Sequence, residues 1–575
     1  MLRLICILGV VSVLGAGVCR GNNIEPEAAG EITHDLVGQL FEAAENGTVE
    51  DVRALIKLGV DLNARNENTV TPLMVAASVN PDPAVCRVLV EGGAELNSKS
   101  ENGGLTALML AAQINPVQAV IRELVVLGAN VNTASDDGLT ALIIAGGYDL
   151  NPELIEFLIE SGADIHARTG NGMSALMLAA ARNQRPGVLQ ALLDAGADVN
   201  LTLPDGRNAV YLAAAENTVT DVLGVLLNAG GDVHARSDGT WTPLMAAAAH
   251  MREPRAIELL LEAGADVNAT KDGGATALML AATSNSNWLV AEALINGGAN
   301  VEMQDESGIT ALMYGAIGGN TDIIVYILID ASAEIDARSA NGSTALMFAV
   351  ERDTNGTRYV KSLLQFGADV NAQRTDGMTP LMIAGALCDD PEITAALLEG
   401  GADVHAKTDD GITALMHAGR TSKSPDVIRL LVDAGSDVHM RNEQGVTILM
   451  LAALRNQEAS VITALILAGA DASENHKDGS TLLMFAARYN SNPEVVKVII
   501  NAGIDVNELG PGGSTALMMA VMKSSSPEVV AALLDAGADP NLKEADGLTA
   551  LDYAKFNDAF RESDVYQRLK EVTDD

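Results

Sequence analysis

Aromatic and basic residues are both scarce in this sequence. Phe, Trp and Tyr make up 3% of its 575 residues, and 36 Lys and Arg stand against 76 Asp and Glu, which gives a formal net charge of −40. An anionic surface repels nucleic acid and anionic membranes, and so few aromatic side chains offer little material for stacking on bases. We therefore expect no nucleic-acid partner. Because 48% of the residues are hydrophobic, the chain can bury a core and is not expected to be disordered.

Long hydrophobic runs are equally rare, and the clearest one stands at the amino terminus. Arg3 is followed by an uncharged run from Leu4 to Cys19, with small residues at positions 15–17. A basic start, an apolar stretch and small residues before a cut are the pattern of a secretory signal peptide. The sequence therefore predicts a signal peptide at residues 1–19, a polar amino-terminal segment at 20–37, and export of the mature chain to the periplasm or the medium.

Two alternatives for this amino terminus stay open. The run could be an uncleaved anchor, although its sixteen residues are short for a hydrocarbon core of about 30 Å. Cys19 could carry a lipid, which is less favoured because Val18 stands where a small residue usually precedes the modified cysteine. No later run approaches the length of a membrane span, so none is predicted.

The tetrapeptide that begins at Thr71 (TPLM) recurs at nearly constant spacing. Twelve of the fourteen intervals between copies are 34 residues and two are 35, and a further degenerate copy covers residues 40–63. Each copy ends in a variant of LLxxGADVN, as at residues 192–200. Sixteen units in phase predict an array in which each repeat stacks on its neighbours. The regular copies start at Thr71, Thr106, Thr140, Ser174, Asn208, Thr242, Thr276, Thr310, Thr344, Thr379, Thr413, Thr447, Thr481, Thr515 and Thr549.

Each repeat carries the start and stop signals of two short helices. Thr71 is suited to cap a helix, and Pro72 suits the first helical position, where its missing N–H costs nothing. A second start signal follows later in the repeat, as at residues 526–528 (Ser-Pro-Glu), before Val and Leu at helical spacing. The second helix is expected to stop at Gly, which enters the left-handed conformation without a Cβ penalty.

With its DGxTPLxxAA and LLxxGADVN segments, each unit resembles the ankyrin repeat, a turn followed by two antiparallel helices. The resemblance covers about residues 38–575. It implies an all-α ankyrin-repeat solenoid of stacked helix-turn-helix units with turn or β-hairpin loops, closed by a polar last repeat. Two departures stand out. The connection between the two helices has an extra residue, and Met replaces the family's His in twelve copies, so the hydrogen bonds of that His must be absent or made otherwise.

The remaining candidate chemistries find little support. The sequence has no Gly-Lys P-loop, no HExxH and no GxSxG, so we expect neither enzymatic activity nor a cofactor. Cys86 and Cys388 lie nine repeats apart, too far for a disulfide, which needs Cα atoms within about 7 Å. Because one Met per repeat gives a spacing too wide for a shared copper ion, we interpret the Met row as core. Four histidines share one loop position, one per repeat, and a zinc ion needs its ligands within about 2.1 Å, so we expect no metal. These histidines are His166, His234, His405 and His439.

The eighth position after the capping residue is highly variable between copies. In the ankyrin resemblance, the end of the first helix and the neighbouring turn line a concave groove that holds protein partners. A cation in the last turn also complements the helix dipole, by about 0.3–1 kcal/mol, so recognition and dipole compensation both stay open. The large or cationic side chains at this position are our partner-binding candidates. They are Tyr148, Arg182, His250, Arg352, Arg455, Tyr489 and Lys523.

The sequence thus predicts an exported, monomeric, non-catalytic scaffold that binds a protein through its concave face. A cationic row favours an elongated partner with acidic patches, and we expect Arg352→Ala and Arg455→Ala to weaken binding with little effect on thermal stability. An envelope-associated structural spacer and an effector exported to a host cell are the alternatives. One repeat, residues 310–343, is expected to open before its neighbours, because it has Gly315 and Gly318 in its first helix and Ser332 where the others end in Gly.

Overall fold

The computed structural model describes residues 30–148, 150–250, 253–318, 322–352, 356–523, 526–557, 560 and 563–574. The predicted signal peptide at 1–19 lies outside them, as does most of the polar segment at 20–37. Within these residues the chain forms 32 α-helices, one 3₁₀ turn at Pro511–Gly513 and a few isolated β-bridges, with no longer strand. The helices are α1 (Gly30–Asn46), α2 (Val49–Lys57), α3 (Pro72–Val79), α4 (Pro83–Glu91), α5 (Ala107–Ile114), α6 (Gln118–Val126), α7 (Ala141–Gly147), α8 (Pro152–Glu160), α9 (Ala175–Arg182), α10 (Pro186–Asp194), α11 (Ala209–Glu216), α12 (Thr220–Asn228), α13 (Pro243–His250), α14 (Pro254–Glu262), α15 (Ala277–Ser284), α16 (Trp288–Asn296), α17 (Ala311–Gly318), α18 (Ile323–Asp330), α19 (Ala345–Val350), α20 (Gly356–Gln365), α21 (Pro380–Leu387), α22 (Pro391–Glu399), α23 (Ala414–Thr421), α24 (Pro425–Asp433), α25 (Ile448–Arg455), α26 (Ala459–Leu467), α27 (Leu482–Tyr489), α28 (Pro493–Asn501), α29 (Ala516–Lys523), α30 (Pro527–Asp535), α31 (Ala550–Ala554) and α32 (Asp564–Asp574).

Each repeat contributes two helices, so that odd numbers denote first helices and even numbers second helices. The predicted cap is present in most first helices: Thr71 has extended backbone angles, and its hydroxyl oxygen accepts from the N–H of Met74, with Pro72 as the first helical residue. Thr344 makes no such bond, and the hydroxyl of Ser526, before α30, donates to the Glu528 carboxylate instead. Most second helices end two residues before a Gly with positive φ, as α10 ends at Asp194 before Gly196 (φ 91°). Helix α1 begins at Gly30, before residue 38, where the repeat domain was expected to start.

The methionines that replace the family's His are buried at the start of the first helices. Met74 and Met279 are each 1% exposed. Their sulfur atoms accept the backbone N–H of the capping residue, over 3.4 Å from Thr71 and 3.3 Å from Thr276. In these two repeats a thioether closes a capping pair of the kind that an acidic side chain forms at Thr48 and Asp51. The substitution therefore packs the core and also satisfies a backbone donor.

The core lies between the layer of first helices and the layer of second helices. In one repeat, Leu176 and Met177 of α9 and Leu189 and Leu192 of α10 are at most 1% exposed. Small residues such as Ala179, which is fully buried, let neighbouring first helices approach closely. Burying each large side chain contributes about 1.5–3 kcal/mol relative to exposure, so stability is distributed along the stack.

The contacts divide the chain into two compact units, one of residues up to 204 with 228–231 and one of residues 205–227 and 232–575. In the first unit, neighbouring first helices pack from α1 to α9 and neighbouring second helices from α2 to α10. In the second unit the same packing runs from α11 to α31 and from α14 to α32. No helix among the described residues combines the length and the apolar character needed to cross a bilayer.

The repeat at 310–343 has one backbone feature that the sequence predicted and one that it did not. Ser332 adopts a φ of 69°, in the left-handed region where the other repeats place Gly. Gly318, in contrast, is required by packing: a Cβ there would lie 2.2 Å from the carbonyl oxygen of Thr283 in the preceding repeat. The glycine that we took for a weakness thus permits a close helix contact. That the repeat at 310–343 opens before its neighbours stays a prediction.

Candidate functional site

The structure places all seven candidate residues at the carboxyl-terminal ends of first helices. Five are the last residues of their helices, Tyr148 is the cap residue of α7, and Arg352 follows the cap residue of α19. Tyr148 and Arg182 belong to the first unit and the other five to the second. We call the surface formed by these helix ends the first-helix face, separately for each unit.

Five of the seven side chains are free to meet a partner. Tyr148 and Arg352 are half-buried, whereas the rest are exposed. The exposed residues are Arg182, His250, Arg455, Tyr489 and Lys523.

Arg352 contacts neighbouring residues of its own chain, so a substitution there would not report on partner binding alone. Its Nη1 donates to the carbonyl oxygen of Ala316 over 3.3 Å, and its guanidinium carbon lies 5.3 Å from the ring centroid of Tyr359. Ala316 belongs to α17, so this arginine supplies a donor to the last turn of the first helix in the preceding repeat. The expectation that Arg352→Ala leaves stability nearly unchanged is therefore revised, whereas the exposed position of Arg455 fits it.

Behind this face runs a row of buried asparagines that sequence reasoning missed. Asn490, which is 1% exposed, donates from Nδ2 to the carbonyl oxygens of Ala453 and Asn456 over 3.0 and 2.7 Å, and its Oδ1 accepts the N–H of Asn492. Asn115 and Asn456 make the same three bonds in their repeats. The extra residue of the inter-helix connection thus accompanies a buried asparagine that joins two neighbouring repeats by hydrogen bonds. We call such a link a polar rung. The recurrence of Asn nine residues after the capping Thr was the available signal.

A second row of polar rungs joins the loops that follow the second helices. Asn132 donates from Nδ2 to the carbonyl oxygen of Gly162 over 2.8 Å and accepts the N–H of Asp164 over 2.7 Å. Asn371 makes the same two contacts in its repeat, with Gly401 and Asp403. The DVN asparagine is therefore an inter-repeat bridge.

Four repeats have His in place of this bridging Asn, and those side chains were considered as metal ligands. His166, His234, His405 and His439 are all exposed. Within the described part of the chain, no three His, Cys, Asp or Glu side chains converge in a manner that could hold a metal ion. Cys86 and Cys388 are both buried: Cys388 donates its thiol to the carbonyl oxygen of Val350, and burial, with Glu123 and Asp82 nearby, raises the pKa of Cys86 to about 12.

The fifth residue of the repeat, four after the capping residue, is half-buried in several repeats, among them those of Tyr314, His417 and Phe485. The hydroxyl of Tyr314 donates to Asp305 over 2.8 Å, and desolvation together with this bond raises the pKa of the tyrosine to about 12. At the same position Phe485 packs edge-on against the ring of His476. His417 is more isolated: burial, then Arg420, lowers its pKa to about 4, and its Nε2 is buried without a hydrogen bond.

Comparison with known proteins agrees with this geometry. A family model described as "Ankyrin repeats (3 copies)" matches the chain in overlapping segments from residue 40 to residue 544. The chain belongs to the ankyrin repeat family. The predicted all-α ankyrin-repeat fold is thereby confirmed. Ankyrin repeat proteins are generally non-catalytic scaffolds for protein interaction.

One curated relative is similar to a short part of this protein. Mouse protein phosphatase 1 regulatory subunit 27 is 36% identical over 66 residues, which are 12% of this chain and 42% of the relative. The chain thus matches less than half of that protein. The relative is, by its name, a regulatory subunit of a phosphatase.

Proposed function

We propose that this ankyrin repeat protein is an exported, non-catalytic scaffold that binds another protein through its first-helix face, the side that is concave in the family. The observation that carries the proposal is a division within each repeat. Framework residues such as Leu176 and Asn183 are at most 1% exposed, whereas the position at the helix end is exposed in most repeats and changes in chemistry from one to the next. A surface that varies on a constant frame is suited to specific recognition.

Binding energy in such an interface concentrates in a few large or cationic residues. Arg455→Ala is therefore expected to weaken partner binding by about 1–2 kcal/mol, or roughly five- to thirtyfold. The matched control is Arg429→Ala, which removes an exposed arginine from the second helix α24. Partners would be captured from the exported fraction with the full chain and identified by mass spectrometry, and their affinities measured by titration.

The outcomes separate the candidate functions. One stoichiometric partner that Arg455→Ala weakens and Arg429→Ala does not supports the scaffold. Recovery with the envelope and no stoichiometric partner would favour a structural spacer, and capture of host-cell proteins would favour an effector. A partner lost with Arg429→Ala but kept with Arg455→Ala would place binding on the second-helix side and refute the first-helix face.

Export is tested separately, because the scaffold could act in any compartment. The run from Leu4 to Cys19 supports cleavage between about residues 17 and 22 by its signal-peptide pattern. Amino-terminal sequencing of the native protein should begin there. An intact Met1 on protein confined to the cytosol would overturn export while leaving the binding proposal in place.

A further inference from the structure

Four successive repeats of the second unit carry a basic residue near the carboxyl-terminal end of the first helix. We call these four residues the basic strip: Arg420 in α23, Arg455 in α25, Arg488 in α27 and Lys523 in α29. Arg488 is half-buried and the other three are exposed. Among the described residues, none of the four lies within ion-pair distance of a carboxylate.

Basic residues on the second helices of the same unit are neutralised instead. Their side-chain nitrogens lie 2.5–3.4 Å from carboxylate oxygens. In a protein with a net charge of −40, acidic partners are abundant, so four unpaired cations in consecutive repeats distinguish this strip from the second-helix side. The paired cations are Arg255, Arg358, Lys361, Arg429, Lys497 and Arg568.

Arg488 is the packed member of this strip. Its Nε is buried and forms no hydrogen bond, and its guanidinium carbon lies 5.0 Å from the ring centroid of Tyr489. A guanidinium pairs best with a carboxylate that accepts from two of its nitrogens at once, and with this Nε closed to solvent the terminal nitrogens are the ones that such a ligand would meet. Stacking on Tyr489 holds the guanidinium plane in place, so an incoming carboxylate would meet a partly ordered donor.

Apolar side chains accompany the cations, and acidic residues of these repeats lie at both ends of the first helices. Tyr489 is 50% exposed and Met522 is 37% exposed on the last turns of α27 and α29. The loops that carry Asp409, Asp410 and Asp478 precede the first helices, at the ends opposite to the strip, which an eight-residue helix separates by about 12 Å. An acidic ligand thus meets basic side chains at the ends of the first helices, although Asp426 and Glu494 begin the second helices at the same end.

We propose that the basic strip binds an extended acidic polypeptide segment with an apolar anchor residue, an inference that rests on the proposed scaffold function. Neighbouring helices pack about 8–10 Å apart, so the strip spans roughly 24–30 Å. An extended peptide advances about 3.3 Å per residue, which gives a segment of about eight or nine residues. Carboxylates at every second or third position, about 7–10 Å apart, match one cation per repeat.

A nucleic acid fits this strip poorly. Double-stranded DNA presents one phosphate per about 1.7 Å of its axis, several for each cation of the strip. Its further charges would meet a protein whose net charge is −40. A short peptide brings only as many anions as the strip can neutralise.

The proposal is tested with the full chain and synthetic nonapeptides. One library contains three or four Asp or Glu residues and one Phe per peptide, and the matched library has Asn or Gln at the acidic positions. A fluorescein-labelled duplex oligonucleotide is the third probe. We expect peptides from the acidic library to bind, with an affinity that falls as salt rises, and peptides from the amide library not to bind.

The variant is the triple substitution Arg420→Gln, Arg455→Gln and Lys523→Gln, and the control is Arg429→Gln with Lys497→Gln on the second helices. The triple variant should bind the selected acidic peptides about tenfold more weakly or worse, whereas the control should bind them normally. Circular dichroism and thermal unfolding show that both variants remain folded; Arg488 is left unchanged because it is packed.

Several results would overturn the inference. They are failure of the acidic library to bind, equal loss of binding in the triple variant and the control, and binding of the oligonucleotide that is as tight as that of the peptides. If the captured partner binds the triple variant normally, the basic strip is excluded while the scaffold function stands. If no partner is captured by the native chain, the scaffold function itself fails.

Discussion

The left-handed residue Ser332 permits a direct measurement of backbone strain in one repeat. Ser332 has a φ of 69°, whereas the corresponding residue of the preceding repeat, Gly298, has a φ of 91°. Ser332 is exposed, and a Cβ added to Gly298 would meet no heavy atom within 4 Å. The two positions therefore differ in backbone preference and not in packing, which makes Ser332→Gly and Gly298→Ser a reciprocal pair.

The expected magnitude is the difference of two opposing costs. A residue with a Cβ in the left-handed region costs about 1–2 kcal/mol, and Gly costs about 0.5–1 kcal/mol through the entropy of the unfolded chain. Ser332→Gly should therefore stabilise its repeat by about 0.5–1 kcal/mol, and Gly298→Ser should destabilise the preceding repeat by a similar amount.

The assay must report on single repeats, because an array of many repeats masks a local change in its overall melting. Amide hydrogen exchange followed by mass spectrometry resolves them, and 0.5–1 kcal/mol corresponds to roughly two- to fivefold in the opening equilibrium. In the native chain, residues 310–343 should exchange faster than both neighbours. Ser332→Gly should slow that exchange, and Gly298→Ser should speed it at residues 276–309.

Uniform protection across residues 276–378 would refute the expectation of a weak repeat. If residues 310–343 exchange fast but Ser332→Gly has no effect, the strain at Ser332 is not the cause. The remaining difference would then lie at Gly315, which is buried inside α17 at a position where most other repeats have Ala.

Three further substitution experiments test the polar rungs, the buried histidine and two arginines that share one position. Asn490→Ala should destabilise its repeat by about 3 kcal/mol or more, since it orphans buried backbone groups, while exposed Asn501→Ala should stay within about 0.5 kcal/mol in urea unfolding. His417 stays neutral down to about pH 4 when folded but binds a proton near 6.5 when unfolded, so stability is lost as pH falls from 6.5 to 4. Because the side chain is only partly buried, His417→Leu should remove on the order of 1–2 kcal/mol of that acid loss. If the free energy of unfolding of the variant changes between pH 7 and pH 4.5 as much as that of the native chain, this reasoning is refuted. Arg352→Ala should destabilise by about 1–2 kcal/mol through lost contacts to Ala316 and Tyr359, whereas Arg455→Ala should leave thermal unfolding unchanged; equal effects would refute the difference in their surroundings.

The sequence by itself determined the repeat and the start and stop signals of its two helices. The capping Thr, the Pro at the first helical position and the terminating Gly are local signals, and each acts through backbone groups within a few residues. The 34-residue period then specified which helices are neighbours, because each repeat packs on the next. For these reasons the fold and the location of the seven candidates at helix ends could be predicted without coordinates.

Only the tertiary structure decided what each side chain at a helix end contacts. Arg352 and Arg455 occupy the same position of the repeat, yet one bonds across to Ala316 and the other is exposed. The asparagine rungs and the close approach of Gly318 to Thr283 are likewise contacts between residues about one repeat apart. Local propensity does not specify such pairings, because each sets a side chain or a glycine against a backbone carbonyl about one repeat away, and only the packed array brings the two together. The unpaired state of the basic strip is of this kind: the sequence shows the cations, and the folded array shows that no carboxylate among the described residues reaches them.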